Sequence, residues 1–218
     1  MITHNDEDYK ATKRILLGTE SLSKIMREIA EWVADRYSVR VLNAIHSPAG
    51  GLLRNPRLQI ILEHRSQVTS FRDGFNFNKI KQNDIAKKFA TIVGQNAAEL
   101  DCDGMFVVFS AFAPIANQEA DSKLSNADIE KLKQSLDDPE LWVISRSFGY
   151  VTFMFFTEQQ AKYKSLDGTL ERYASRYFDI LKPFDQFNYL DRKKYIVRFD
   201  SKQNFDENYQ GNWMYYYR

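Results

Sequence analysis

Chemistry at neutral pH usually starts from a histidine, a thiol, an activated hydroxyl or paired carboxylates. The chain has three histidines, His4, His46 and His64. His4 lies in a polar terminal stretch, and the other two close successive strand-like segments, SVRVLNAIH and RLQIILEH. An antiparallel hairpin around SPAGGLLRNP would set His46 near Arg57 and His64 near Val39. About seven strand residues at ~3.3 Å each then separate the two rings, far too far to share a metal. His46 beside Arg54 of the glycine-containing loop is the alternative binding or acid–base site, and an ordinary surface histidine is the simpler reading.

The single cysteine, Cys102, sits between Asp101 and Asp103 in LDCDG. Adjacent carboxylates oppose thiolate formation, so this thiol is a poor nucleophile. The SLSK stretch at 21–24 matches a Ser-x-x-Lys pattern, but neither Ser-Asp-Asn nor Lys-Thr-Gly accompanies it, and it opens an amphipathic helix. There is no G-x-x-x-x-G-K, no G-x-G-x-x-G and no G-x-S-x-G. DSKQNFDEN fails as a calcium loop, because Tyr209 or Lys202 occupies an essential position in either register. A capped turn or short helix is expected there instead. Asp185 and Asp191 read as exposed loop acids. No catalytic residue, metal site or cofactor is assigned.

Composition fits this picture. The 218 residues are 44% apolar, 27% charged and 14% aromatic, as expected of a soluble globular protein with a Tyr- and Phe-rich core. One cysteine excludes an internal disulfide. The stretch MITHNDEDYK lacks the pattern of a signal peptide, and no apolar run is long enough to cross a membrane. A cytoplasmic protein without a membrane partner is expected. The net charge of +1 conceals two territories. Residues 40–88 hold nine Lys/Arg against three Asp/Glu, and residues 99–140 hold three against ten. Such territories either neutralise each other or steer a charged partner.

Four amphipathic helices must position these groups. Leu22, Ile25, Met26, Ile29, Val33 and Tyr37 form one stripe, and Ile85, Phe89, Ile92 and Val93 a second. Ser125 and Asp128 fit a capping box ahead of Ile129, Leu132 and Leu136. The fourth helix runs from near Asp167 to Pro183, and a short turn begins at Thr157 with Gln160 three residues on. Between them lie SVRVLNAIH, RLQIILEH, MFVVFSAF, LWVIS, YVTFMFF and KYIVRFD as strands. MFVVFSAF, apolar throughout, reads as central and covered on both faces. RILLG and the closing GNWMYYYR also read as strands, the latter alternating Trp213, Tyr215 and Tyr217 against Met214 and Tyr216.

The fold class expected is α+β, with mainly antiparallel sheets packed against four principal helices. Helix, strand, strand, helix, strand occurs twice, which fits two split-βαβ, ferredoxin-like halves at about 10–112 and 104–218 within a single globular unit 1–218. The function expected is non-catalytic binding of another macromolecule, most simply a protein, as in a toxin-neutralising immunity protein or similar accessory. Glu119, Asp121, Asp137 and Asp138 would dock a basic partner. The alternatives are a small enzyme with a carboxylate or His46 site, and a nucleic-acid binder using the basic 40–88 segment.

Overall fold

The stripe beginning at Ile25 folds as predicted, because its apolar residues recur at helical spacing and meet a sheet. In the structure, a computed structural model describing residues 3–50, 54–147, 150–193 and 195–218, this helix is α2, Lys24–Tyr37, with Ile29 and Val33 fully buried. It follows α1, Glu7–Leu16. RILLG is therefore the end of a helix, not a strand: Glu7 and Asp8 open α1, Lys13 and Arg14 close it, and both ends suit the helix dipole.

Contacts divide the chain into two units, Met1–Ile115 and Ala116–Arg218. In the first, β1 (Val41–Ser47) pairs antiparallel with β2 (Arg57–Leu62), and β2 pairs parallel with β5 (Phe106–Ala111). Between β2 and β5 run α3 (Arg65–Thr69), a two-residue-strand hairpin of β3 (Arg72–Asp73) and β4 (Asn76–Phe77), and the crossover helix α4 (Lys79–Gln95). Leu58, Ile60 and Leu62 alternate onto the face that meets Ile29, Val33, Ile85 and Phe89. The central strand is thus β2. MFVVFSAF forms β5 at the edge, with Phe106 53% exposed. Its continuous apolarity misled because helix α4 covers one face while residues beyond the strand, Phe112 stacking on Tyr9, take apolar roles of their own.

The second unit repeats this order. Helix α5, Ala113–Lys123, crosses the division, and α6, Asn126–Leu136, follows behind the predicted Ser125–Asp128 capping box. Strand β6 (Leu141–Ser147) pairs antiparallel with β7 (Tyr150–Phe155), and β7 pairs parallel with β8 (Ile196–Ser201). Helices α7 (Glu158–Lys164) and α8 (Thr169–Leu181) make the crossover. Val151, Phe153 and Phe155 face Leu132, Tyr173 and Tyr177. The turn of the β6–β7 hairpin, Phe148–Gly149, lies outside the described residues.

The repetition reaches the detail of the ladders. Strands β1 and β6 each slip register by one residue at the start, between Val41 and Asn43 and between Leu141 and Val143. The class is α+β, and each three-stranded sheet is mixed. At the end of the chain, α9 (Lys202–Tyr209) is the short capped helix expected of DSKQNFDEN, whereas α10 (Trp213–Tyr216) replaces the expected terminal strand. Ser201 caps α9 by accepting from the Asn204 N–H, and the Asn212 side chain accepts from the Met214 N–H to start α10. Trp213 then packs on Phe205 at 4.2 Å and stacks on Trp142, so tertiary contacts override strand propensity.

Candidate functional site

The acidic candidates sit largely on α5, α6 and the loop entering β6. Asp121 accepts hydrogen bonds from the hydroxyls of Tyr177 (2.7 Å) and Tyr195 (3.0 Å). Asp138 accepts from Tyr173 and from the Lys164 ammonium, both at 2.6 Å, with its side chain only 8% exposed. Glu119 pairs with Lys123 at 3.2 Å. Asp137 is exposed and holds the left-handed cap of α6 at φ 47°. The structure therefore does not present the four as one acidic face. Asp121 and Asp138 bond inward, while Asp137 remains at the surface.

These bonds belong to a wider pattern. Tyr37 donates to Asp84 at 2.8 Å and Tyr216 to Asp200 at 2.5 Å. Burial and the neighbouring carboxylate push the Tyr37 hydroxyl up to about 12, and raise Tyr173 and Tyr216 further. Burial, the partner tyrosine and Asp121 raise Tyr177; burial and Asp121 raise Tyr195. Burial alone would raise Asp138, but the hydrogen bonds from Lys164 and Tyr173 outweigh it and hold the carboxyl below its ordinary value. Each hydroxyl is thereby made a weaker acid. The arrangement ties helix to helix at Tyr37–Asp84 and Tyr177–Asp121 and helix to strand at Tyr216–Asp200, and suits structure better than proton transfer.

His46 pairs across the ladder with Leu58, one residue from the expected Arg57. Its Nε2 donates to the Asp101 carbonyl at 2.7 Å, and its ring stacks on Phe89 at 5.8 Å. Arg54 is exposed, while Gly51–Leu53 of the same loop lie outside the described residues. The Cys102 thiol is raised by burial and by Asp101, and donates to the Leu100 carbonyl. Asp185 is a correction: its side chain is 3% exposed and accepts from the Tyr189 and Leu190 N–H groups and from Lys182. Among the described residues no group of three or more His, Cys, Asp or Glu is arranged to hold a metal.

The basic segment is also partly engaged. Arg40 pairs with Glu63 and Arg57 with Asp8, and Lys81 donates to the Ser70 carbonyl. Folding redistributes the charge further, because the division at Ile115 cuts through the acidic territory. The first unit holds fifteen Lys/Arg against thirteen Asp/Glu, and the second fifteen against sixteen. Counted over the whole units, which also take in residues outside those two segments, the net charges are +2 and −1.

Two features escaped the sequence reading. The first is an open groove of about 600 Å³ on the second unit, floored by Leu124, Leu132, Ile180, Pro183 and Phe184 and rimmed by Asp128, Lys131, Arg176 and Asp179. The second is the β3–β4 hairpin, whose turn residue Phe75 is 98% exposed, with Ile80 at 79% on the first turn of α4. Asp73-Gly74 between two aromatic residues is a hairpin signal that could have revealed it. No protein-family model, curated protein or solved structure matches the chain.

Proposed function

We propose that the chain works by binding another macromolecule, a protein, without performing chemistry on it. A toxin-neutralising or similar accessory role is the sharpest form of that reading. One observation carries it: where the largest exposed apolar side chains stand. In each unit two of them stand on the crossover that follows the central strand, and Met214, 68% exposed, stands apart on α10. Phe75 and Ile80 are 98% and 79% exposed in the first unit, and Tyr163 and Leu166 are 68% and 80% exposed in the second. Isolated surface apolars are ordinary, but grouped ones rimmed by polar residues mark interaction sites.

The binding reading also gains from the state of the reactive groups. The His46 ring is bonded to a carbonyl and stacked, the thiol is raised, and the buried tyrosines are tied to aspartates. The test is retention from a lysate of the source cells on the immobilised full chain at about 0.15 M salt. Retained proteins are then purified and titrated by calorimetry. A saturable stoichiometric complex is expected. Nothing retained, together with turnover in a substrate panel, would sink the reading.

A further inference from the structure

We infer that the β3–β4 hairpin of the first unit is a preformed docking element, with Phe75 as its anchor, for a partner protein that offers an apolar pocket rimmed by carboxylates. This inference rests on the protein-binding reading and makes it specific. The hairpin is fixed at its base. The Asn78 N–H donates to the Phe71 carbonyl at 2.8 Å, and Phe71 is fully buried and stacked on Phe109 at 4.2 Å. Its tip is braced as well: Arg72 donates to the Phe75 carbonyl at 2.9 Å, and its guanidinium lies over the Phe77 ring at 4.9 Å. Gly74, at φ 60°, takes the positive-φ position that lets a two-residue turn close.

A large apolar side chain is thus held clear of the surface on an ordered support. Holding it ready lowers the entropy cost of burying it in a partner, and aromatic anchors of this kind dominate interface energetics. The charge around it selects the partner. Arg65 and Lys79 are exposed, with no ion pair among the described residues, and Arg72 stands on the hairpin itself. Asp73 is the one acid on the hairpin. One cation at the tip, with Arg65 and Lys79 on the helices that flank the hairpin in sequence, complements a pocket edged by Asp and Glu. An anionic bilayer is the poorer match, because inserting Phe75 would carry Asp73 toward the lipid headgroups.

The experiment places the photo-crosslinker p-benzoylphenylalanine at position 75, or at 163 as a comparison, in the full chain expressed in its source cells. Adducts are mapped by mass spectrometry, and the identified protein is titrated with wild-type chain, Phe75→Ser and Lys79→Glu. Adducts from 75 on an apolar patch bordered by Asp or Glu are expected, with binding weakened about tenfold or more by Phe75→Ser. Weakening by Lys79→Glu that a Lys substitution on the partner's rim restores would add support. A partner that binds Phe75→Ser as tightly as wild type, or adducts from 163 alone, overturns the hairpin while leaving the binding reading intact. A Phe75-dependent adduct with a second copy of the chain, or Phe75-dependent sedimentation with phosphatidylserine vesicles, also overturns it. No adduct from either position and no retained protein sinks both. Circular dichroism and thermal melts check that Phe75→Ser, at so exposed a site, leaves the fold unchanged.

Discussion

The chain's many tyrosines and its acidic segments meet at single residues. Asp138 shows what each contact contributes: an ammonium and a phenol converge on one nearly buried carboxylate. Its folded carboxyl titrates below its ordinary 3.8, so in acid the unfolded chain takes up the proton first. The stabilisation is complete above that ordinary value and is lost as pH falls through the folded one. Urea unfolding from pH 7 to pH 2 should show a steep acid arm that Asp138→Asn flattens. At pH 7 the same substitution should cost about 3 kcal/mol, since Lys164 keeps only the more exposed Glu140. In alkali the sign reverses. Tyr177 ionises above its ordinary 10 in the folded chain, so stability is full below pH 10 and declines as the unfolded tyrosine ionises. Tyr177→Phe should make the curve shallower between pH 9 and 11, measured by the same denaturation.

Elements were legible where local chemistry decides them. Helix α7 is one such case: the Thr157 hydroxyl accepts from the Gln160 N–H, and the Gln160 side chain accepts from the Thr157 N–H. Thr157→Ala should cost about 1 kcal/mol in urea unfolding, with Thr157→Ser close to neutral. The same logic made α2, α4, α6 and α8 readable from period and caps. Reading failed where a distant contact outweighs a local preference. WMYY has strand composition, yet packing on Phe205 and Trp142 makes it a helix turn. The acidic site failed for a related reason. The tyrosine partners of Asp138 and Asp121 lie 35 to 74 residues away, and nothing along the chain announces that a tyrosine will arrive there. The Phe75 hairpin was different. Its signal is local, FRDGFNF, and a scan for Asp-Gly between aromatic residues finds it.

At the scale of the molecule, the repeated topology comes with two separate interiors. One buried cluster runs from Ile29 to Phe109 in sequence and the other from Ala120 to Leu190, and each falls within one unit. Residues that share no buried neighbours respond nearly independently to substitution. Leu58, fully buried at the centre of the first sheet, gives the clean test. Leu58→Ala removes packing from Ile29 and Ile85 and leaves a cavity, costing about 2–5 kcal/mol. If each interior is its own cooperative unit, amide exchange should accelerate across β1, β2 and β5 and stay near wild type across β6, β7 and β8. Phe153→Ala should give the mirror image. Equal acceleration of both sheets by either substitution would mean that the two interiors melt together. The duplicated order would then describe topology alone, because what makes a repeat an independent folding unit is a core that closes within it.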